Sequence, residues 1–147
     1  MKRQRKGGYL ISKIHRMSGR IFSKILKQNE LDEINTAQGR ILFPLWQEDG
    51  ISIVKLAKET ALSKSTLTSM LDRLEEAGYV RRVSSKTDRR KMQIYLTTEG
   101  DKLQENYLGV SKKMTELFYE GFTDTEITEF EVYLERILEN LKKHSLN

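Results

Sequence analysis

One short stretch of this chain departs from a helical pattern, and that stretch limits the folds open to it. Along most of the sequence, apolar residues recur every three or four positions, as in amphipathic helices. Residues 79–84 (YVRRVS) and 92–96 (MQIYL) instead carry β-branched and aromatic residues in segments of strand length. The polar segment 85–91 (SKTDRRK) between them is typical of a hairpin loop. We therefore predict a mainly α fold with a small β-hairpin.

Six helices are expected around this hairpin. Hydroxyl residues suited to N-capping precede three of them, at Ser52, Ser63 and Thr123. Pro44, the only proline, lies within the second helix, where it removes a backbone donor and predicts either a kink or a break into two short helices. Apolar spacing and these boundary signals put the helices at about residues 9–28, 36–47, 53–59, 64–77, 98–120 and 124–143.

Charge is distributed unevenly along the chain. The net charge is +5, but residues 1–30 contain nine Lys or Arg and one Glu. Residues 81–91 contain six Lys or Arg and one Asp, whereas residues 115–147 are net acidic. A dense cationic segment in the hairpin favours a polyanionic partner. A solvated basic surface is the alternative that charge alone leaves open.

The sequence argues against several kinds of site. The chain has no cysteine, and its two histidines, His15 and His144, lie near opposite ends, so we predict no disulfide, no metal and no cofactor. It has no Gly-rich phosphate loop and no nucleophile elbow, so we predict that it is not an enzyme. Charges interrupt every apolar run before the roughly 18 residues that a membrane span needs. We therefore expect no membrane partner and a cytoplasmic location.

Residues 52–96 have the order helix, short turn, helix and hairpin, which is typical of a winged helix-turn-helix. The second helix of such a unit can enter the major groove of double-stranded DNA, and its outward face then needs small hydrogen-bonding side chains. An arginine-rich loop can reach the narrow minor groove. The candidates for major-groove contact are Lys64, Ser65, Thr66, Thr68 and Ser69.

These segments resemble the MarR family of transcriptional regulators. The matching pieces are ALSKSTLTSMLDRLEEAGYVRR, then DRR in the wing, then LTTEG before the next helix. The resemblance implies a single MarR-like domain over residues 1–147, with a winged helix-turn-helix DNA-binding region at 36–97. It also implies a helical dimerisation region, formed by residues 9–30 and 98–144. A homodimer of this kind binds a pseudo-palindromic operator.

The resemblance also assigns roles in the wing. Asp88 is expected to orient the loop, and one of Arg89 and Arg90 is expected to enter the minor groove, with the choice between them left open. Lys86 is expected to attract phosphates. Arg73, on the preceding helix, is expected either to touch a phosphate or to hold the fold.

Members of this family often respond to small phenolic or other lipophilic compounds. The residues here that could approach such a ligand are His15, Met17, Phe43, Trp46 and Tyr107, and the alternative is that they are packed core. The expected function is a DNA-binding transcriptional regulator, a repressor that such a ligand releases. The alternative function is a less specific architectural winged-helix protein without an effector.

Overall fold

A computed structural model describes residues 3–29, 31, 36–88 and 91–145. These residues form six helices and three short strands. The mainly α fold with a small β-hairpin is thereby confirmed. In chain order the elements are α1 (Gly7–Gln28), α2 (Thr36–Gln47), β1 (Ile51–Ser52), α3 (Ile53–Thr60), α4 (Lys64–Glu76), β2 (Val80–Ser84), β3 (Met92–Leu96), α5 (Thr98–Phe118) and α6 (Asp124–Lys142).

The sheet contains one strand that the sequence pattern did not predict. Strand β1 pairs antiparallel with β3, opposite the predicted hairpin partner β2, so the order is β1-β3-β2. Its two residues are too few to produce an alternating pattern. Ile51 lies opposite Ile94 in the register, and both are buried. The strand thus depends on pairing with a segment more than forty residues away in the chain.

Helix α2 is continuous through Pro44, so the predicted alternative of two short helices is wrong. Pro44 has no N–H to donate to the carbonyl of Arg40. Helical hydrogen bonding resumes at once, because the amide of Glu48 donates to the carbonyl of Pro44 at 2.9 Å. Pro44 lies in the last turn of the helix, and the one helical hydrogen bond that it removes is the donation to Arg40.

The main hydrophobic core lies between α2, α3, α4 and the sheet. Leucines from the three helices meet Val80 of β2 and Ile94 of β3, and all are at most 1% exposed. Burying each such side chain contributes about 1.5–3 kcal/mol to folding. The core therefore fixes α4 and the hairpin as one body. Its helical members include Ile41, Leu42, Leu45, Leu56, Leu67, Leu71 and Leu74.

A group of three aromatic rings joins α1, α2 and α5. The ring of Tyr107 lies 5.6 Å from that of Phe22, edge to face, and 5.1 Å from that of Trp46. Gly39 of α2 makes this packing possible, because a Cβ at that position would overlap the Tyr107 ring. The Trp46 indole N–H donates to the carbonyl of Gly100 at 3.1 Å. This group ties the first and fifth helices to the core.

The chain divides into two compact units, Met1–Lys112 and Lys113–Asn147. In the second unit, Tyr119 packs edge to face against Phe118, Phe122 and Phe130. Thr123 and Glu126 form the predicted capping box at the start of α6. No residue of α6 is buried. Among the described residues, no helix is both long and apolar enough to cross a membrane.

Candidate nucleic-acid interface

The helix-turn-helix is defined by two serine caps, both predicted from the sequence. Ser52 accepts a hydrogen bond from the Lys55 amide at 3.1 Å at the start of α3. Ser63 accepts one from the Thr66 amide at 3.3 Å at the start of α4. Residues 61–63 form the turn between them. The Ser63 side chain thus satisfies one of the free amides in the first turn of α4, and this exposed helix N-terminus carries partial positive charge.

The predicted major-groove residues all lie on α4, but they are not equally accessible. Lys64, Ser65, Thr66 and Ser69 are exposed, as is Arg73 further along the helix. Thr68 is half-buried, and its hydroxyl donates to the carbonyl of Lys64 at 2.8 Å.

Among these hydroxyls, Thr66 is also drawn into the cap. Its Oγ1 accepts a hydrogen bond from the Ser63 Oγ at 2.9 Å. The Ser65 Oγ also lies 3.4 Å from the Ser63 Oγ. Ser69 therefore presents the hydroxyl least engaged by the helix and its cap.

The wing is a closed hairpin loop between β2 and β3. The Ser85 amide donates to the carbonyl of Lys91 at 2.7 Å, and the Lys91 amide donates to the carbonyl of Asp88 at 3.0 Å. Lys86 is exposed and Asp88 is half-buried. Arg89 and Arg90, for which a minor-groove role is predicted, lie outside the described residues. The structure thus defines the base of the wing and the cation at Lys86.

Arg82 is a residue whose role the sequence reasoning missed. Pattern alone counts it among the cations of the hairpin, but its guanidinium lies 2.6 Å from the carboxylate of Asp72 and 2.8 Å from that of Glu75. Its backbone amide also donates to Glu75, at 2.9 Å. The hydrogen bonds from Arg82 lower the pKa of Glu75, and those to Glu75 and Asp72 raise the pKa of Arg82. Asp72 and Glu75 are three residues apart and so lie on one face of α4. This pair of carboxylates was the sequence signal for a cation partner.

A separate cleft of about 650 Å³ opens between α1, α2, α3, the turn before α4 and Met70 in the middle of α4. His15 and Phe43, two of the predicted ligand residues, line it. Arg40 points a guanidinium nitrogen to within 3.5 Å of His15 Nδ1. The other lining residues are Pro44, Gln47, Glu48, Ile51, Lys55, Glu59, Thr60, Leu62 and Met70.

The remaining predicted ligand residues lie elsewhere. Met17 is exposed on α1. Trp46 is half-buried and Tyr107 buried, and both belong to the aromatic group described above. Burial raises the pKa of Tyr107 to about 12. The structure therefore brings His15 and Phe43 together in the lining of the cleft. Met17, Trp46 and Tyr107 are not among the lining residues.

The capped helix pair, followed by a hairpin packed on its second helix, defines a winged helix-turn-helix protein. The model of the MarR family matches residues 34–92. The HTH-type transcriptional regulator PecS of Dickeya dadantii is 32% identical over 135 residues, which cover 91% of this chain and 76% of PecS. The regulator TtmR of Methylorubrum extorquens is 37% identical over 82 residues, or 56% of this chain and 40% of TtmR.

Solved structures agree with these relatives. A mutant MarR from E. coli, complexed with operator DNA, is 29% identical and superposes with a TM-score of 0.80 over 89% of this chain and 92% of that one. The chain therefore belongs to the MarR family. It is a DNA-binding transcriptional regulator. Members of the family are transcription regulators, not enzymes, which agrees with the prediction that this chain is not an enzyme.

Proposed function

We propose that this chain is a homodimeric repressor that binds a pseudo-palindromic operator and is released from it by a small lipophilic or phenolic ligand. The observation that carries the DNA-binding part is the outward face of α4. Its exposed Lys64, Ser65 and Ser69 belong to the same packed body as the hairpin that bears Lys86. A helix and a cationic loop held together in this way can contact a groove and the adjacent backbone simultaneously.

The assignments within this surface follow from chemistry. Ser65, Thr66, Thr68 and Ser69 offer short donors and acceptors that let the helix approach base edges closely. Lys64 and Lys86 supply phosphate attraction, as does Arg73, which is exposed near the end of α4. In the wing, Asp88 orients the loop, and either Arg89 or Arg90 enters the minor groove, where a narrow groove concentrates negative potential.

The homodimer is supported by apolar surface that lacks cover within each unit. Met17 and Ile21 of α1 are exposed, and so are Ile137, Leu138 and Leu141 of α6. Exposed apolar stripes of this extent are typical of interaction surfaces. The first thirty residues are strongly basic and the last third is acidic, so two copies offer opposite charges to one another. Dimerisation would use α1, α5 and α6.

The effector part is supported by the cleft beside α2. Its walls are apolar at Phe43, Pro44 and Leu62, and its cationic groups include Arg40. A volume of about 650 Å³ falls within the range of small-molecule sites. The cleft is lined by residues of α1, a proposed dimerisation helix, and of α4, the reading helix. A ligand there can therefore favour one position of α4 relative to α1. A spacing that mismatches the operator would lower DNA affinity.

Selection of bound sequences from random DNA tests the operator proposal. We expect one discrete pseudo-palindrome and a footprint of about two helical turns, consistent with two half-sites one turn apart. Binding should weaken steeply with salt, with a log–log slope of about −0.9 per neutralised phosphate.

Arg89→Ala and Arg90→Ala, compared by gel shift, identify the wing arginine. Unchanged affinity in both variants would contradict the wing assignment. Continuous coating of DNA without a preferred sequence would instead indicate an architectural protein.

Titration of the protein–operator complex with a series of phenols tests the effector proposal. We expect release of DNA by at least one phenol and loss of that response in Phe43→Ala. Release that persists in this variant would contradict the assignment to the cleft.

A further inference from the structure

Arg82 belongs by sequence to the basic hairpin, yet its contacts are with the reading helix α4. Its guanidinium bridges Asp72 and Glu75 at 2.6 and 2.8 Å, and its backbone amide donates to Glu75 at 2.9 Å. One arginine thus links strand β2 to two successive turns of α4. Its side chain is 23% exposed, against 58% for Asp72 and 38% for Glu75, so the cation lies under its two partners.

Asp72 lies on the face of α4 that is proposed to contact DNA, so its pairing with Arg82 affects the charge of that face. Ser65, Ser69 and Asp72 follow one another at intervals of four and three residues, so they lie along one face of the helix. The stripe that carries the exposed hydroxyls of Ser65 and Ser69 therefore continues into a carboxylate. An unpaired carboxylate near phosphates would repel them. Arg82 supplies the opposite charge at that point.

We propose that Arg82 is a positioning residue for operator recognition, which fixes the wing strand on α4 and neutralises Asp72 and Glu75 beside the DNA-reading face. It reaches DNA only through these partners. The inference rests on the proposed use of α4 and the wing in operator binding. It divides the basic hairpin into a structural arginine at its base and DNA-directed cations toward its tip.

The chemistry of the contact favours arginine over lysine. A guanidinium presents several N–H donors in a fixed plane, so it can bind two carboxylates at once. A lysine at the same position would keep the charge but offers a single point of attachment on a flexible stem. Charge and positioning can therefore be separated by substitution.

The experiment compares Arg82→Ala, Arg82→Lys and the triple variant R82A/D72N/E75Q with the wild-type chain. Lys102→Ala, which removes an exposed cation paired with Glu99 at 3.5 Å on α5, is the matched control for lost charge. Affinity is measured for the duplex selected by the wild-type chain and for a random duplex of equal length. The ratio of the two affinities reports discrimination.

We expect Arg82→Ala to weaken operator binding about tenfold and to lower the ratio, since two charge-assisted contacts are lost. The triple variant should recover affinity for the random duplex but not the ratio, because it removes the free carboxylates without restoring the attachment. Arg82→Lys should give an intermediate ratio. An unchanged ratio in Arg82→Ala, or full recovery of the ratio in the triple variant, would overturn the positioning role.

Hydrogen exchange gives a readout that needs no DNA. In Arg82→Ala, the amides of residues 80–84 should exchange about tenfold faster than in the wild-type chain, and Lys102→Ala should leave them unchanged. Unaltered exchange in Arg82→Ala would also overturn the proposal. If the wild-type chain selects no sequence, the operator function fails, while this measurement still decides whether Arg82 holds the wing.

Discussion

Helices α4 and α6 both carry an apolar stripe, but only the stripe of α4 is covered within its own unit. Leu67, Leu71 and Leu74 of α4 are at most 1% exposed. In α6 no residue is buried, and Leu141 is 63% exposed. The two stripes have the same periodicity and chemistry. The difference teaches that periodicity identifies which side of a helix is apolar but not what covers it.

The two apolar stripes therefore have different roles, one in the core and one at a surface. The apolar stripe of α4 packs against α2, α3 and the sheet. The opposite face of α4 is therefore exposed and can contact DNA. The stripe of α6 remains available, which is the physical basis of the proposed homodimer. Substitutions in the two stripes should therefore lower the free energy of unfolding by different amounts, and only the loss in α6 should depend on protein concentration.

The largest effect is expected in the covered stripe. Leu71→Ala should lower the free energy of unfolding by about 2–5 kcal/mol, because it removes buried methyl groups and leaves a cavity. Urea denaturation followed by circular dichroism measures the loss. Its size should be the same at every protein concentration if the side chain contacts only its own chain.

Leu141→Ala in α6 is the matched substitution. In an isolated monomer, an exposed leucine should cost less than about 0.5 kcal/mol. In a dimer that covers α6, the loss should be larger and the unfolding midpoint should depend on protein concentration. Equal, concentration-independent losses for Leu71→Ala and Leu141→Ala would remove the distinction between the two stripes.

Two glycines offer a second comparison of covered and open positions. Gly39→Ala should destabilise the chain by about 1–3 kcal/mol, because the new Cβ meets the Tyr107 ring and forces the aromatic group apart. In the middle of α5, a Cβ at Gly109 would meet no described residue outside its own helix within 4 Å, so Gly109→Ala should stabilise the chain by up to about 1 kcal/mol through helix propensity. Thermal denaturation compares the two.

The Gly109 variant also bears on the dimer. A loss of stability there, instead of a gain, would indicate that a second copy approaches α5 closely at that point. A gain in Gly39→Ala would contradict the packing of Tyr107 on α2.

Local features of the fold could be predicted from the sequence because their causes are local. The caps at Ser52, Ser63 and Thr123 each require only a hydroxyl followed by a helical run, and all three are found. Strand β3 matches its prediction because Ile94 and Tyr95 in this short run favour a strand. Strand β1 could not be predicted, since its two residues are ordered by pairing with β3 far along the chain.

The candidate site shows the same limit. The outward face of α4 follows from helical spacing, so the candidates there were available from the sequence. The partners of Arg82 were not, because a strand residue and a helix residue meet only after the hairpin has packed. Likewise, Phe43 and Trp46 are neighbours on α2, but tertiary packing directs one to the cleft and the other to Tyr107.

The smallest expected effect concerns acid pH and sharpens the contrast between the covered and open regions. Hydrogen bonds from Arg82 lower the pKa of Glu75 in the folded chain below its ordinary value of 4.5. A carboxyl with a lowered pKa stabilises the fold above its unfolded pKa, and this contribution is lost as pH falls through the folded pKa. Glu75→Gln should thus be less stable than the wild-type chain near neutral pH, and the difference should shrink as pH is lowered below about 4.5.

Urea denaturation of both proteins from neutral to acid pH measures this difference. The effect should be small, because the Glu75 side chain is 38% exposed and solvent screens its charge. Glu139→Gln, which breaks an exposed pair with Lys142 on α6, controls for the loss of one negative charge. A difference between the wild-type chain and Glu75→Gln that stays constant with pH would show that the carboxylate charge does not hold Arg82. The link between β2 and α4 would then rest on shape and neutral hydrogen bonds alone.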